Sequence, residues 1–418
     1  MAQEILTPTM ITREACRRLH QSCNAITNMN TQYDSRYAND GAKIGYTLNI
    51  RMPVKYNVRT GATLDADDHN ERSTPLTVQS QYGVDVNFTT AELTMELDNF
   101  SETVLAPAID QLAARTEGDT LADRYKDVAN YTNATTDGLL TYRRYQQNGK
   151  NITNELGPKS MRTAILTPDS VVEFNDAVKG LFQDSGRLSK AFIEGQMGRT
   201  GGFDVFENTL CPSHTTGTLA GSPVTSGAAL GTSTTTANTW VSQSEITITG
   251  ATTTTTLTAG DIITMAGVYE VHPELKTNLG RLRRFVVQSA VTATNGATFN
   301  VKPGLIWGSG NSYQNCALSG VSDTDGLTIT KIGAVNSQFK QDLFFHKDAF
   351  VFATADLIDV SKFGAWGSRA TQDGIRMRIA RQYDITNDKV PCRLDILFGS
   401  GQLLPELASR HMYESDLV

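Results

Sequence analysis

Residues 44–88 read IGYTLNIRMPVKYNVRTGATLDADDHNERSTPLTVQSQYGVDVNF, and the alternation in this stretch decides the predicted fold. In its first part every even position is apolar and the odd positions are mostly polar, which is the period of a half-buried strand. The apolar positions are Ile44, Tyr46, Leu48, Ile50, Met52, Val54, Tyr56 and Val58. The pattern returns after a polar interval and continues to Phe88. The stretch therefore predicts one long antiparallel hairpin.

The length of this hairpin bears on its function. At about 3.3 Å per residue the first strand would run on the order of 50 Å, whereas strands usually have about 5–6 residues. We expect an arm whose apolar face is completed by another subunit, so that the eight apolar side chains form a subunit interface. A curved sheet inside one large monomer is the alternative that the pattern leaves open.

Composition restricts the class of protein. The chain has 418 residues, 19% of them charged, and a formal net charge of −7, which argues against nucleic acid as a specific ligand. No stretch approaches 18 apolar residues, and the start lacks the order of a signal peptide. We expect a chain that is made and kept in the cytoplasm and does not enter a membrane.

Residues that could carry chemistry are few. Cys16, His20 and Cys23 would share one face of a helix, but a fourth zinc ligand with suitable spacing is missing, so buried thiols are the preferred interpretation. The acidic run at residues 65–68 lacks the glycine and glutamate of a calcium loop. No GxSxG, HExxH or Walker motif is present. We expect no enzyme, no catalytic residue, no cofactor and no metal.

The middle of the chain changes character twice. A helical pattern over residues 103–130 has apolar stripes on two faces with Gly118 between them, so Gly118 is a possible bend in a long spine. From Ser213 to Thr258 roughly half of the residues are Ser or Thr, and short strands with turn signals follow. This predicts an inserted β-barrel or sandwich. Its few large aromatic side chains, which a carbohydrate site would need exposed, are assigned to core packing: Trp240, Trp307 and Tyr313.

The C-terminal part predicts a half-buried hairpin over residues 375–399 whose polar face mixes arginine with aspartate. The arginines could hold phosphate, but the nearby carboxylates favour ion pairs within or between subunits. The candidates for these ion pairs are Arg376, Arg378, Arg393, Asp384 and Asp395.

These segments together resemble the major capsid proteins of tailed double-stranded DNA bacteriophages, which share the Hong Kong 97-type fold. The resemblance is carried by the hairpin, the spine helix, residues 195–214 (GQMGRTGGFDVFENTLCPSH), 345–354 (FHKDAFVFAT) and 375–399 (IRMRIARQYDITNDKVPCRLDILFG). Residues 260–268 (GDIITMAGV) look like the inserted barrel of the coat proteins of short-tailed Salmonella phages. The order of these segments along the chain is more specific than any one of them.

The resemblance implies an α+β fold of the Hong Kong 97 type with an inserted all-β barrel. The implied domains are an N-terminal arm (1–40), an extended hairpin (41–88), a peripheral domain with the spine helix (89–150), the first part of an axial domain (151–212), the inserted barrel (213–335) and a return to the peripheral and axial domains (336–418).

The implied function is a major capsid protein whose copies form pentamers and hexamers of an icosahedral shell. Its implied partners are other copies of itself, a scaffolding protein, a portal protein and double-stranded DNA held without sequence-specific contact. Such a shell would be a virion capsid assembled in the cytoplasm of a host bacterium. An encapsulin-like compartment shell, or a decoration or carbohydrate-binding β protein, is the alternative.

Overall fold

The computed structural model describes residues 8–31, 47–58, 61–63, 71–89, 106–132, 140–178, 198–221, 223–227, 240–251, 255–308, 310–358, 360, 364, 366–372 and 375–414. Ile44, Tyr46 and the acidic run at 65–68 lie outside these residues. In this part of the chain the α-helices are α1 (Pro8–Ser22), α2 (Ala106–Arg124), α3 (Tyr142–Asn154) and α4 (Pro168–Val178). Single 3-10 turns cover Ile26–Asn28, Tyr125–Asp127, Lys347–Ala349 and Pro405–Leu407.

Most of the described structure is β. The strands are β1 (Thr47–Met52), β2 (Arg72–Thr77), β3 (Ser80–Thr89), β4 (Tyr131–Thr132), β5 (Arg162–Leu166), β6 (Arg199–Thr200), β7 (Phe203–Glu207), β8 (Ser213–Thr215), β9 (Val224–Thr225), β10 (Ser244–Thr249), β11 (Thr256–Leu257), β12 (Ile262–Val271), β13 (Asn278–Val287), β14 (Val291–Thr292), β15 (Ala297–Lys302), β16 (Cys316–Leu318), β17 (Ile329–Lys331), β18 (Gln338–His346), β19 (Phe350–Thr354), β20 (Trp366–Gln372), β21 (Ile375–Arg381), β22 (Lys389–Gln402) and β23 (Ala408–Glu414). The fold is therefore mixed α+β, with sheets predominant and few helices.

The chain divides into two compact units. The first comprises Met1–Ile50, Thr74–Leu121 and Phe350–Leu403. The second comprises Arg51–Ser73, Ala122–Ala349 and Leu404–Val418. Both units are discontinuous in sequence, and the division into six predicted domains remains a proposal.

The first unit is built on a five-stranded sheet in the order β19-β22-β21-β20, with β3 also paired to β22. Helix α1 packs on β20 and β21 and buries Ala15, Cys16 and Leu19. The predicted C-terminal hairpin is present, since β21 and β22 pair antiparallel with Arg378 opposite Asp395.

The predicted hairpin is present only in part, as the pair β1 and β2, and it is shorter than predicted. Strand β1 ends at Met52 and pairs with β2 in a two-stranded sheet. Strand β3 instead runs antiparallel to β22 over its whole length, with Val84 opposite Leu394. Alternation of apolar residues fixes which face of a strand is buried, but it carries no information about the partner strand. The 14-residue β22 offers a longer apolar edge than β1 does.

In the second unit a seven-stranded sheet has the order β4-β23-β18-β5-β7-β6, with β8 also pairing with β18. Helices α3 and α4 contribute to one aromatic core, in which the ring centroids of Tyr145 and Phe174 lie 4.5 Å apart and those of Phe203 and Phe344 lie 5.4 Å apart. The short apolar run at Arg162–Leu166 predicts a strand and the following Thr167, Pro168 and Asp169 predict the start of a helix; the structure confirms both, as β5 and α4.

Residues 224–331 form a segment of strands, which we call the β-ring segment. Strands β17, β12, β13, β15, β10 and β9 are linked side by side in that order. A bridge between Val224 and Thr328, with a hydrogen bond of 2.8 Å from the Ile329 N to the Pro223 O, then joins β9 to the segment entering β17. The strand pairing therefore forms a closed ring that begins and ends at β17. The segment has its own apolar cluster, which includes Phe285 and Phe299.

Helix α2 is shorter than predicted but runs through Gly118 without interruption. Its buried residues, which include Ile109, Leu112 and Thr120, continue along one face, and the helix gives way to a 3-10 turn at Tyr125. Part of the second predicted apolar stripe therefore lies in that turn and not in the helix. A bend at Gly118 stays a prediction.

Two glycines give a test of how closely this backbone is packed. A Cβ on Gly83 would stand 2.5 Å from the Asp395 Oδ1 and 2.8 Å from the Leu394 O, whereas a Cβ on Gly118 would meet nothing within 4 Å. Gly83→Ala should lower the free energy of unfolding by about 1–3 kcal/mol because the Leu394 carbonyl and the buried Asp395 carboxylate would have to move. Gly118→Ala should raise it by about 0.5–1 kcal/mol because alanine favours helix. Urea denaturation of the unassembled chain measures both, and equal effects of the two variants would contradict the packing described.

A buried carboxylate caps α4. The Asp342 Oδ1 accepts hydrogen bonds from the Thr167 N (2.8 Å) and Oγ1 (3.0 Å), and its Oδ2 accepts one from the Ser170 Oγ (2.5 Å). Burial raises the pKa of Asp342 from 3.8 to about 6, although these donors oppose the shift. The folded state therefore holds this proton more tightly than the unfolded state does.

This shift predicts a pH dependence. The contribution of Asp342 to stability is complete below about pH 4 and is lost as the pH rises through about 6, a change of about 3 kcal/mol. Asp342→Asn cannot ionise, so the stability of the natural chain relative to this variant should fall between pH 4 and 7. Denaturation of both proteins across this range measures the difference, and a constant difference would contradict the prediction.

Candidate subunit interface

The predicted interface residues on β1 are buried within the chain itself. Leu48, Ile50 and Met52 are 7%, 2% and 5% exposed. The chain therefore covers the apolar face of β1 by itself. Another subunit is not needed to bury this part of the strand. The alternation was the correct signal of burial, but the inference that the chain could not satisfy it alone was wrong for these residues.

The outer part of the predicted interface has a different environment. Val54 is half-buried, whereas Tyr56 is 59% and Val58 is 96% exposed. We call residues 53–58 the arm tip. Exposed apolar side chains in neighbouring positions are the residues available to a partner, so the prediction of an interface now concerns the arm tip and not β1.

The ion-pair candidates separate into two groups. The Asp395 carboxylate is fully buried, and it lies 2.5 Å from the Arg378 Nη2 and 2.6 Å from the Arg393 Nε. The Arg378 Nη1 also donates to the Ile358 O. Arg378 contacts Asp395 from the opposite position on β21, and Arg393 contacts it from two residues away on β22.

Arg376 and Asp384 are placed apart from this cluster. The Arg376 Nε lies 3.7 Å from the Asp356 Oδ1, and the Arg376 Nη1 donates to the Thr354 O. Asp384 closes the turn between β21 and β22 by accepting hydrogen bonds from the Thr386 N and the Asn387 side chain. These hydrogen bonds hold the pKa of Asp384 below its usual value. All of these contacts lie within one chain.

The interpretation of Cys16 and Cys23 as buried thiols agrees with the structure, whereas the side chain of His20 lies outside the described residues. Cys16 and Cys23 are free and buried, and the Cys16 Sγ donates to the Ala370 O. Burial raises the pKa of Cys16 to about 12, which disfavours the thiolate that a metal would bind. Among the described residues no group of three metal-binding side chains comes together. No helix in that part of the chain is long and apolar enough to cross a membrane.

Several buried polar contacts were not predicted. The Tyr125 hydroxyl lies 3.1 Å from the His214 Nδ1, and the His214 Nε2 lies 2.9 Å from the Asp261 Oδ1. Nearby, the Arg410 Nη2 donates to the Gly260 O at 2.6 Å. These residues join β8 and β23 to the β-ring segment. Nothing in their spacing marks them in the sequence.

Arg72 was also missed, although the sequence contained a signal for it. It occupies an even position in β2, on the same face as Thr74 and Leu76, and all three are buried. An arginine on the apolar face of an alternating strand is unusual because a buried charge needs specific partners.

Comparison with known proteins gives one extensive match. A model of the family described as "P22 coat protein - gene protein 5" matches residues 21–413. No curated protein sequence matches the chain at a significant level.

Solved structures show weaker likeness. A chain from Mycobacterium phage Che8 has a TM-score of 0.44 at 10% identity, covering 98% of this chain and 93% of that chain. The capsid structure of cyanophage P-SCSP1u has a TM-score of 0.42 at 10% identity, covering 88% and 83%. A virus-like particle from Pyrococcus furiosus has a TM-score of 0.39 at 6% identity, covering 96% and 97%. These TM-scores are too low to add to what the family model shows.

The Asp395 cluster leads to a test with a matched control. Asp395→Ala should lower the free energy of unfolding by about 3–5 kcal/mol because it leaves the largely buried Arg378 without its carboxylate. Arg393→Ala should change it by less than about 1 kcal/mol because half of that side chain is exposed. Chemical denaturation of both variants measures the difference, and comparable losses would show that burial does not control this cluster.

Proposed function

The chain belongs to the P22 coat protein family, and from this premise we propose how it works. It is a major capsid protein, a structural protein and not an enzyme, and its copies assemble into the icosahedral shell of a phage virion. The observation that carries this conclusion is the family match, which spans residues 21–413. The same match favours a phage coat over the shell of a compartment that encloses protein.

The finer features follow from the family as proposals. Copies of the chain form pentamers and hexamers around a scaffolding protein, with a portal protein at one vertex, in the cytoplasm of the host bacterium. The shell then encloses double-stranded DNA without sequence-specific contact. The net charge of −7 supports this last point, because a surface of the same sign as DNA does not hold it by attraction.

The β-ring segment is proposed to be the inserted barrel domain of this family. Its support is the closed path of hydrogen bonds through six strands and an apolar cluster of its own. The arm tip is proposed to contact a second copy of the chain, because its apolar Tyr56 and Val58 are exposed whereas the apolar residues of the adjoining β1 are buried.

Assembly itself gives the first test. The purified full-length chain should sediment as shells or polyheads, or as a species that becomes shells when the scaffolding protein of the same phage is added. Sedimentation velocity and electron microscopy measure this. A chain that remains strictly monomeric under both conditions would count heavily against a coat protein.

The arm tip gives a second test, with Ile50 as the contrasting position. Val58→Asp should change the stability of the unassembled chain by no more than about 0.5 kcal/mol, because Val58 is 96% exposed, yet it should prevent or slow shell formation. Ile50→Asp should instead destabilise the chain by several kcal/mol, because it buries a charge. Urea denaturation and light scattering separate the two effects. Normal shells from Val58→Asp would show that the arm tip is not an interface.

A further inference from the structure

Arg72 is buried on the apolar face of β2, with only 7% of its surface exposed. Its Nε donates a hydrogen bond of 2.8 Å to the Pro53 O, at the start of the arm tip. The arginine therefore connects β2 to the backbone of the first residue of the arm tip. One hydrogen bond to a carbonyl does not by itself offset the burial of a guanidinium group.

The remaining stabilisation comes from two aromatic side chains of the β-ring segment. The Arg72 Cζ lies 5.9 Å from the ring centroid of Trp240 and 5.5 Å from that of Tyr313. Both distances are within the range of cation–π attraction, which is stronger when the cation is withdrawn from water. Trp240 and Tyr313 thus bind a cation of the same chain, which neither core packing nor a carbohydrate site requires.

Two further contacts join the arm tip to the same region. The Lys55 N lies 3.4 Å from the Tyr313 hydroxyl, and the Asn57 Nδ2 donates to the Gly310 O at 2.8 Å. The contacts with the β-ring segment thus come from Arg72, Lys55 and Asn57, which flank or alternate with the exposed Tyr56 and Val58. Each of the two apolar side chains is adjacent in sequence to a residue that is held.

We infer that the β-ring segment anchors the arm tip of its own chain. Arg72, in contact with Trp240 and Tyr313, is the positioning residue, and it fixes the direction in which Tyr56 and Val58 are presented. The partner that this surface fits is a second copy of the chain. This last step rests on the proposed function, whereas the anchor itself exists in the unassembled chain.

Hydrogen exchange of the unassembled full-length chain tests the anchor directly. Arg72→Met keeps an unbranched apolar stem but removes the cation and the hydrogen bond to the Pro53 O, and it should speed amide exchange of residues 53–58 by about tenfold. Exchange in strands β10, β12 and β15 should stay as in the natural chain. Arg51→Met is the matched control, because Arg51 lies on the same arm but is exposed and pairs only with Glu71 among the described ion pairs. It should leave exchange at residues 53–58 unchanged.

Two more variants keep the result decisive if Arg72→Met folds poorly. Trp240→Leu removes one of the two aromatic partners of Arg72 in the β-ring segment and should also speed exchange of residues 53–58. Arg72→Lys restores the cation without the planar guanidinium and should recover part of the protection. Unchanged exchange at residues 53–58 in both Arg72→Met and Trp240→Leu would overturn the inference, as would equal acceleration throughout the β-ring segment.

Assembly separates this inference from the function on which it rests. Arg72→Met should form shells more slowly than Arg51→Met at equal concentration, measured by light scattering. If Val58→Asp forms normal shells while Arg72→Met still loosens residues 53–58, the anchor stands and the interface at the arm tip fails. If Val58→Asp prevents assembly while both anchor variants exchange as the natural chain does, the interface stands and the anchor fails.

Discussion

Strand β22 is the element on which the first unit depends, because along its 14 residues it pairs with β3, β21 and β19. These partners come from regions of the chain as distant as residues 80 and 381. The sheet can close around Asp395 only because Gly83 on the neighbouring strand has no side chain. The buried carboxylate then draws Arg378 and Arg393 onto the same part of the sheet, so backbone pairing and charge pairing specify one register.

The same principle operates in the second unit, where buried polar groups connect segments that are distant in sequence. Asp342 caps a helix that begins 174 residues earlier in the chain, at Pro168. Arg283 on β13 pairs with Glu155 at the end of α3 at 2.8 Å, with both side chains nearly buried. Buried charges are costly unless their partners are in place. They therefore favour the arrangement in which every partner is present over compact alternatives that bury the same apolar area.

The sequence predicted local structure better than it predicted pairing. The strands of the hairpin 375–399, the strand and helix after residue 162 and the change of composition at Ser213 all have local signals, and the structure contains elements at each place. The partner of β3 has no local signal, so β3 was wrongly assigned to the hairpin that β1 and β2 form. Arg72 was overlooked because only the apolar members of the alternating face were followed, although its even position placed it on that face.

The contrast between β1 and the arm tip changes the physical argument for assembly. A floppy arm would have to be ordered when a second copy binds, at about 1–2 kcal/mol of backbone entropy per residue. For a segment of several residues, that expense would cancel much of what two apolar side chains gain by burial, about 1.5–3 kcal/mol each. In the inferred anchor, contacts from Arg72, Lys55 and Asn57 to the β-ring segment order the arm tip during folding instead. Because the arm tip is then ordered before a second copy binds, the free energy gained by burying Tyr56 and Val58 does not have to offset the entropy of ordering it.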